Sequence, residues 1–475
     1  MTGRIVVVGG GMAANRLVEG LVAAGLGGSV TVLGEERHAP YNRILLSAVL
    51  EGTHRPGALT LRTREWYAEH GVDLRLGTRV VDVHRDRRTV ELADRSEVAY
   101  DDLVLATGSI PTLPPVRGLV RVDGTLDPRV HAFRSLDDCA RLLDAVSAGS
   151  TDATGSTTER RAVVVGGGLL GLQVARALAI RGLATEIVEG AEHVMPAQLA
   201  AGAGQVLARS LRKLGTQVYT GARAVRLTGD GLRLDNGYTL DTDLVVLAAG
   251  GRPSANLARR AGLTVRRGLV VDDRLASVDD PHVYAVGDCA QHDDRVTGFV
   301  APAWEQAEVL AARLAGEDAT YRGTRLVARL RATDLDVAVL GDPHRAEGES
   351  VEVTNPVRGS HRRLVVRDGV IVAGSLVGDL SRIGVITQAF DRGTVLGPRE
   401  PGQLLMPPAG APTPVVGDDT EVCHCAGVTA GRVRACTSLA DAVESTRATT
   451  GCGGCAATVR QLLTTRSTPL EGTRQ

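Results

Sequence analysis

The chain has 475 residues, of which 43% are hydrophobic and 23% charged, and its formal net charge is -1. This length and apolar content predict about three or four domains, each with a core of its own. The balanced charge and the lack of a basic run argue against a nucleic-acid surface. No window approaches the ~18 consecutive apolar residues that a membrane helix needs.

The N-terminus indicates the compartment. Residues 1–4 lead directly into an apolar strand, with no charged n-region, long apolar stretch or small-residue cleavage site. The chain carries 7 cysteines, and those near the C-terminus form a CxC and a CxxC pair. That spacing favours metal ligation in a reducing compartment over a disulfide framework. We therefore expect a cytoplasmic protein with no membrane association.

The first predicted element is a nucleotide-binding βαβ unit. An apolar run at residues 5–8 breaks at three glycines and continues as a helical pattern from residue 12. Gly9 would permit the tight turn, Gly11 would let the backbone approach a pyrophosphate, and Ala14 would allow close packing of helix on strand. A second apolar run at residues 30–33 leads to Glu35, at a distance suited to a ribose hydroxyl.

The same pattern returns after residue 161. Gly166, Gly168 and Gly171 form a second phosphate turn, and the following strand ends at Glu189. A carboxylate there accepts from a free 2′-hydroxyl and repels a 2′-phosphate. Because no arginine directly follows Glu189, we expect NADH to be preferred over NADPH.

Composition divides the rest of the chain. The small, polar residues 147–158 predict an exposed insertion. Alternating apolar segments at 335–340 and 363–367, with Asp368-Gly369 as a hairpin turn, predict a small sheet-rich domain. The predicted divisions are a discontinuous first nucleotide-binding domain at 1–118 and 245–320, a second nucleotide-binding domain at 119–244, a sheet-rich domain at 321–396, a Pro/Gly-rich linker at 397–420 and a cysteine-containing domain at 421–465. The predicted fold class is α/β, with two Rossmann-like domains.

Five segments carry a resemblance to a known family. They lie at residues 39–47, 106–109, 283–290, 298–305 and 361–369. They resemble the signatures of FAD-dependent pyridine-nucleotide reductases, and in particular the flavoprotein part of assimilatory NADH-dependent nitrite and nitrate reductases. This resemblance covers nearly the whole chain.

The resemblance implies that the first nucleotide-binding domain, at 1–118 and 245–320, binds FAD and that the second, at 119–244, binds NAD. Glu35 would accept from the adenosine ribose, Asp288 would bond the ribityl chain, and Trp304 with Pro302 would lie near the ring. Packing in the core is the alternative role of Trp304. The remaining implied flavin contacts are Arg43 and Ser47 at the pyrophosphate, Val80, and the backbone at Thr107 and Gly108. Gln173 stands where relatives usually carry glutamate.

The four terminal cysteines form the predicted metal site. Cys423, Cys425, Cys452 and Cys455 resemble the CxC and CxxC pairs of the bacterioferritin-associated ferredoxin type of [2Fe-2S] domain. A structural zinc site also takes four thiolates, and His424 could be a ligand there. Iron-sulfur is favoured because a reduced flavin needs a one-electron outlet.

These features together predict an electron-transfer enzyme. Electrons from NADH would pass through FAD and a [2Fe-2S] cluster to a partner, an assimilatory nitrate or nitrite reductase, and no side chain is predicted as a general acid or base. The alternatives are a stand-alone NADH:ferredoxin or rubredoxin reductase and a redox-sensing flavoprotein. Since the sequence contains no sirohaem domain, we expect no nitrite reduction by this chain alone. It could form a homo-oligomer.

Overall fold

The computed structural model describes residues 3–148, 160–397, 401–406, 416–423, 426–451 and 455–464. The chain divides into two compact units. The first contains Met1–Arg43, Arg55–Thr112 and Gly251–Thr324, and the second contains Ile44–His54, Leu113–Gly250 and Arg325–Gln475. Most of the predicted insertion, residues 149–159, lies outside the described residues.

The first unit is built on an eight-stranded sheet. One of its interior strands is Ile5–Val8, whose four residues are all buried because β-branched side chains fill both faces of a covered parallel strand. It runs parallel to both neighbours, Val30–Gly34 and Asp102–Leu105. In spatial order the strands are Ala290–His292, Leu269–Val271, Ala276–Ser277, Asp280–Ala285, Asp102–Leu105, Ile5–Val8, Val30–Gly34 and Asp73–Leu76.

Helices cover this sheet. Met12–Ala23 packs closely on Val300–Leu314, since a Cβ at Gly20 would lie only 2.6 Å from the Ala311 Cβ. The unit's other helices are Arg64–Glu69 and Asn256–Arg260. Its smaller sheets consist of Val80–His84, Thr89–Leu92 and Glu97–Ala99, and of Ser109–Pro111 paired with Gly251–Pro253. Short 3₁₀ helices in the chain span Gly27–Ser29, Arg43–Leu45, Pro56–Leu59 and Gly287–Cys289.

The second unit contains a five-stranded parallel sheet. In spatial order its strands are Gln217–Thr220, Ala184–Glu189, Arg161–Val165, Leu244–Leu247 and Val130–Ala132. Its helices are Leu46–Glu51, Leu136–Ser147, Leu169–Ile180 and Ala201–Lys213, and a small sheet is formed by Ala224–Thr228, Gly231–Leu234 and Thr239–Leu240.

This sheet corrects a predicted domain boundary. We placed residues from 245 onward in the FAD-binding domain, but Leu244–Leu247 pairs along its length with Arg161–Val165. The compact unit therefore extends to Gly250, and its central segment begins at Leu113 rather than at 119. The strand is entirely apolar and buried, so its sequence alone does not say which of two similar sheets it joins.

An antiparallel five-stranded sheet follows in the same unit. Its strands, in spatial order, are Val327–Ala332, Leu335–Leu340, Val370–Val377, Ser360–Arg367 and Glu349–Asn355. Asp368 and Gly369 have φ angles of 51° and 74° and join two of these strands, as the predicted hairpin turn requires. The helix Ile383–Asp391 covers one face.

Part of the predicted linker belongs to this sheet-rich domain. The helix Pro401–Leu405 packs into its core through Leu404 and Leu405. Proline-rich composition therefore marks the linker only in part, because two leucines among the prolines find an apolar surface.

A small module ends the described chain. It contains the strand pair Glu421–Cys423 and Val428–Thr429, followed by the helices Ala430–Ala435, Leu439–Thr446 and Ala456–Thr464. The first two of these helices lie between the two cysteine pairs in the sequence. Among the helices of the described residues, none combines the length and the apolar composition that crossing a bilayer requires.

Candidate cofactor-binding sites

The first glycine loop lies at the carboxyl edge of the eight-stranded sheet. Val8 pairs with Leu105, which in turn pairs with Ala285, so three parallel strands end at the same level. The segments that follow these strands, starting at Gly9, Ala106 and Val286, therefore meet along one edge. In open α/β sheets this edge is where nucleotides bind.

The loop leaves space and unpaired amides. Gly9 has a φ of 119°, and a Cβ there would lie 2.2 Å from the Ala106 carbonyl oxygen, so glycine is required. Gly11 caps the helix Met12–Ala23 without a side-chain hydrogen bond, and the first turn contains no acidic residue. A Cβ on Gly11 would meet nothing within 4 Å. The first-turn amides and this open space suit a pyrophosphate.

Asp288 faces the same edge. Its carboxylate accepts a hydrogen bond from the Ser109 hydroxyl at 2.7 Å. The preceding Gly287 has a φ of 79° and lies against Ala13, whose Cβ would be 3.1 Å from a Cβ added to this glycine. The segments of Gly9, Ser109 and Asp288, far apart in sequence, are thus brought together within one unit.

Thr107 and Gly108 shape the loop after the strand Asp102–Leu105. The Thr107 hydroxyl donates to the Ser254 carbonyl oxygen at 2.6 Å, and Gly108 has a φ of 65°. Both residues are half-buried, and a Cβ on Gly108 would meet nothing within 4 Å. The backbone there is held in place and accessible.

A polar network that sequence reasoning missed surrounds Arg43. The guanidinium donates to the Tyr41 hydroxyl at 2.9 Å and to the Glu36 carboxylate, and Tyr41 donates to Glu36 at 2.7 Å. Burial works to lower the pKa of Arg43, but Tyr41 and the carboxylates of Glu36 and Asp288 outweigh it, so the pKa is raised. Arg43 therefore stays cationic. Glu36 directly follows Glu35 in the sequence. The sequence analysis singled out Glu35 of these two neighbouring carboxylates, whereas the network contains Glu36.

The other predicted flavin contacts have different surroundings. The Glu35 side chain is 71% exposed and lies 3.6 Å from Arg79. Val80 is buried in the core of the first unit, whereas Ser47 belongs to the second unit, on the helix Leu46–Glu51. The Glu35 carboxylate thus lies near Arg79, and its contact with the adenosine ribose stays a prediction.

Trp304 and Pro302 lie in the first turns of the helix Val300–Leu314, and both are buried. The Trp304 Nε1 has no hydrogen-bond partner among the described residues. The Arg16 guanidinium lies over the indole, 5.5 Å from the ring centroid. A buried indole N–H without a protein acceptor is consistent with a bound group nearby, as well as with the predicted alternative of core packing.

The second glycine loop repeats the first in another sheet. Gly166 has a φ of 113°, and a Cβ there would lie 2.4 Å from the Ala248 carbonyl oxygen. Gly168 caps the helix Leu169–Ile180 without a side-chain hydrogen bond or an acidic residue in the first turn. A Cβ at Gly171 would lie 1.9 Å from the Gly166 carbonyl oxygen, so the helix packs tightly on the turn.

Glu189 is tied to this loop by both carboxylate oxygens. Oε2 accepts from the Gly167 amide at 2.7 Å, and Oε1 accepts from the Ala191 amide at 2.9 Å. The carboxylate is therefore held at the strand end where a ribose would bind. Gln173 is buried on the helix that follows the loop.

The thiol module is described in part. Cys423 and Cys455 are 3% and 5% exposed and share one apolar core with Cys436. Cys425 and Cys452 lie outside the described residues. Within the described ranges no group of three or more His, Cys, Asp or Glu side chains could hold a metal ion.

Comparison with known proteins identifies a family over the part of the chain that contains both glycine loops. Residues 3–307 match the pyridine nucleotide-disulphide oxidoreductase family. The chain belongs to this family. The resemblance of the sequence motifs to FAD-dependent pyridine-nucleotide reductases is thereby confirmed, and membership supports FAD and NAD(P)H as cofactors of an oxidoreductase.

Within the family, two relatives from Bacillus subtilis (strain 168) align over 97% of the chain. A nitrite reductase [NAD(P)H] is 34% identical, with 57% of its own length covered. An assimilatory nitrate reductase electron transfer subunit is 29% identical, with 59% covered. The chain thus spans about half the length of the curated relatives it matches. The solved complex of putidaredoxin reductase with putidaredoxin is similar at a TM-score of 0.74 and 26% identity, over 85% of this chain and 95% of that one.

A second loop residue escaped the sequence analysis. Gly250 has a φ of 87° and follows the strand Leu244–Leu247, as Gly108 follows Asp102–Leu105. The sequence could have indicated this residue, because the segments LATGSIP at 105–111 and LAAGGRP at 247–253 are similar. The ends of these two stretches pair with each other, as Ser109–Pro111 and Gly251–Pro253.

Proposed function

We propose that this chain is an NADH-dependent flavoprotein reductase that carries FAD and a [2Fe-2S] centre and supplies electrons to a nitrite or nitrate reductase. The observation that carries the proposal is the pair of glycine loops without a side-chain cap, each at the carboxyl end of parallel strands in its own sheet. Two such loops suit two dinucleotides. The alignment of 97% of this chain with nitrite and nitrate reductase proteins supports the proposed electron supply to such a reductase.

The first loop suits FAD. The open space at Gly11 and the uncapped first turn would receive the pyrophosphate. Asp288 would accept from the ribityl hydroxyls, and the cationic Arg43 would lie at the phosphates. Pro302 and Trp304 would lie near the ring, and Glu35, Ser47 and Val80 remain predicted contacts. Bound FAD accepts a hydride and can release the two electrons singly.

The second loop suits the nicotinamide nucleotide. The Gly168 turn would bind its pyrophosphate, and the Gly167 and Ala191 amides orient Glu189 for a ribose hydroxyl. This is why we retain the preference for NADH. The side chains bind and orient the nucleotide, and none is proposed as an acid or base.

The terminal module would supply the one-electron centre. Its CxC and CxxC thiolates, Cys423 and Cys425 with Cys452 and Cys455, are the donor set that such a cluster takes. Burial of Cys423 and Cys455 in one core supports a shared site. The same burial would suit zinc, so the metal must be measured.

Metal analysis tests the module. Protein purified anaerobically should contain about two irons and two acid-labile sulfides per chain. Cys455→Ala should remove them and leave the flavin in place. Cys436→Ala is the matched control, because Cys436 shares the same core but lies outside both pairs. Stoichiometric zinc without sulfide would contradict the cluster.

Electron transfer tests the whole proposal. NADH should reduce the flavin and support multiple turnovers with a one-electron dye, and addition of a nitrite or nitrate reductase catalytic unit should give NADH-dependent reduction of its substrate. Cys455→Ala should abolish only the second reaction, since a dye can meet the flavin directly. Dye reduction with no transfer to either catalytic unit, but rapid transfer to a small ferredoxin, would favour the alternative that the similarity to putidaredoxin reductase suggests.

A further inference from the structure

A segment remote in sequence lies beside Glu189. The Ala222 amide donates to the Glu189 carbonyl oxygen at 3.3 Å, and the Gly221 amide donates to the Ala191 carbonyl oxygen at 2.8 Å. Residues 221–223 therefore run along residues 189–191 in the second unit. Arg223 is thereby held next to the carboxylate that we assign to the adenosine ribose.

The Arg223 side chain lies across Gly190. A Cβ at Gly190 would be 3.1 Å from the Arg223 Cγ and 3.3 Å from its Nε. A side chain at residue 190 would therefore press on the stem of Arg223 and shift it from this position. Gly190 directly follows Glu189, so the arginine occupies the place that a side chain at residue 190 would otherwise fill.

Hydrogen bonds hold the backbone of Arg223, whereas its guanidinium has no partner among the described residues. Its amide donates to the Asp235 carboxylate at 3.0 Å, and its carbonyl oxygen accepts from the Asp235 amide at 2.9 Å. The residue is exposed, and its guanidinium makes no hydrogen bond or ion pair with the part of the chain that the structure describes. An arginine with its donors free is suited to a phosphate.

We propose that Arg223 receives the 2′-phosphate of NADPH and so determines how far this chain accepts NADPH beside NADH. The inference rests on the proposed function, which puts the nicotinamide nucleotide on the second loop. A carboxylate at the strand end favours the free 2′-hydroxyl, whereas an arginine nearby accommodates the 2′-phosphate. Here Glu189 would serve the 2′-hydroxyl of NADH and Arg223 the 2′-phosphate of NADPH, and the two side chains come from different elements.

Kinetics with both nucleotides test the assignment. In Arg223→Ala we expect kcat/KM for NADPH to fall about five- to tenfold, the effect of one exposed charge-assisted contact, while kcat/KM for NADH changes less than about twofold. Gly190→Ala should have the same selective effect because it displaces the arginine. Arg226→Ala is the matched control, since Arg226 is also exposed, on the strand Ala224–Thr228. Equal losses for the two nucleotides, or no loss for NADPH, would overturn the proposal.

Binding of nucleotide fragments separates this proposal from the proposed function. The wild type should bind 2′,5′-ADP, and Arg223→Ala should weaken that binding about five- to tenfold without affecting 5′-AMP. Suppose that 5′-AMP binds and that Glu189→Gln alters the NADH kinetics, but that Arg223→Ala leaves 2′,5′-ADP binding unchanged. The role of Arg223 would then be wrong, and the proposed function would stand. If neither fragment binds and NADH reduces no flavin, the proposed function fails with it.

Discussion

The two glycine loops begin with the same backbone hydrogen bond to the neighbouring strand. They differ in the position along that strand at which the acidic residue stands. The Gly9 amide donates to the Leu33 carbonyl oxygen at 2.9 Å, and the Gly166 amide donates to the Val188 carbonyl oxygen at 2.8 Å. The residue that follows is Gly34 in the first case and Glu189 in the second. By strand register the counterpart of Glu189 is therefore Gly34, and not Glu35.

This offset changes the surroundings of each middle glycine. A Cβ on Gly10 would approach only the Gly34 Cα, at 3.6 Å, whereas a Cβ on Gly167 would lie 3.0 Å from the Glu189 Cβ. The Gly167 amide also donates to Glu189. The first loop is thus open where the second is closed by a carboxylate. A repeated pattern predicts two turns, but the register of one residue decides what faces them.

The largest expected effects come from the feature that the loops share. Gly9→Ala and Gly166→Ala should each destabilise the unit concerned by about 3 to 5 kcal/mol, because both combine a left-handed φ with a backbone oxygen within contact distance. Urea unfolding and flavin content would measure this. A mild effect at one position alone would show that the two turns are not equivalent.

The third motif position should separate the loops. Gly171→Ala should cost about 2 to 3 kcal/mol, since its Cβ would lie 1.9 Å from a carbonyl oxygen. At the first loop Ala14 already carries a Cβ and is buried, so Ala14→Gly should cost only about 1 kcal/mol. Thermal unfolding of both variants gives the comparison. Equal costs would contradict the tighter packing of the second loop.

The second motif position should affect binding and spare stability. Gly11 and Gly168 have φ angles of -90° and -79°, and a Cβ on either would meet nothing within 4 Å. Gly11→Ala should weaken FAD about tenfold, and Gly168→Ala should raise the KM for NADH about tenfold, because the methyl group fills the space for the pyrophosphate. Unfolding free energies should change by less than about 1 kcal/mol. An effect of Gly11→Ala on NADH alone would reverse the assignment of the loops.

The smallest effects should distinguish the two carboxylates. Glu189→Gln should cost about 1 kcal/mol, since the glutamine amide nitrogen cannot accept one of the two backbone hydrogen bonds. It should also narrow the ratio of kcat/KM between NADH and NADPH. Glu35→Gln should change the unfolding free energy by less than about 0.5 kcal/mol, because the side chain is 71% exposed. A larger effect on FAD binding than that of Glu36→Gln would support Glu35, rather than Glu36, as the ribose contact.

Local signals predicted much of this fold. The strand Ile5–Val8, the helix that follows Gly11 and the hairpin at Asp368 were all expected from short stretches of sequence, because buried β-branched runs and glycine turns act over a few residues. The strand Leu244–Leu247 was assigned to the wrong domain, since an apolar strand carries no mark of its partner.

The sequence by itself determined the two glycine turns, because glycine readily adopts the φ angles of Gly9 and Gly166, and it determined the CxC and CxxC pattern of the terminal module. Tertiary structure alone decided which charges face those turns. It placed Arg223 across Gly190 and joined Glu36 to Arg43, contacts that depend on how separate elements pack rather than on any local pattern. No arginine directly follows Glu189 along the chain, but the fold brings Arg223 across the adjacent Gly190.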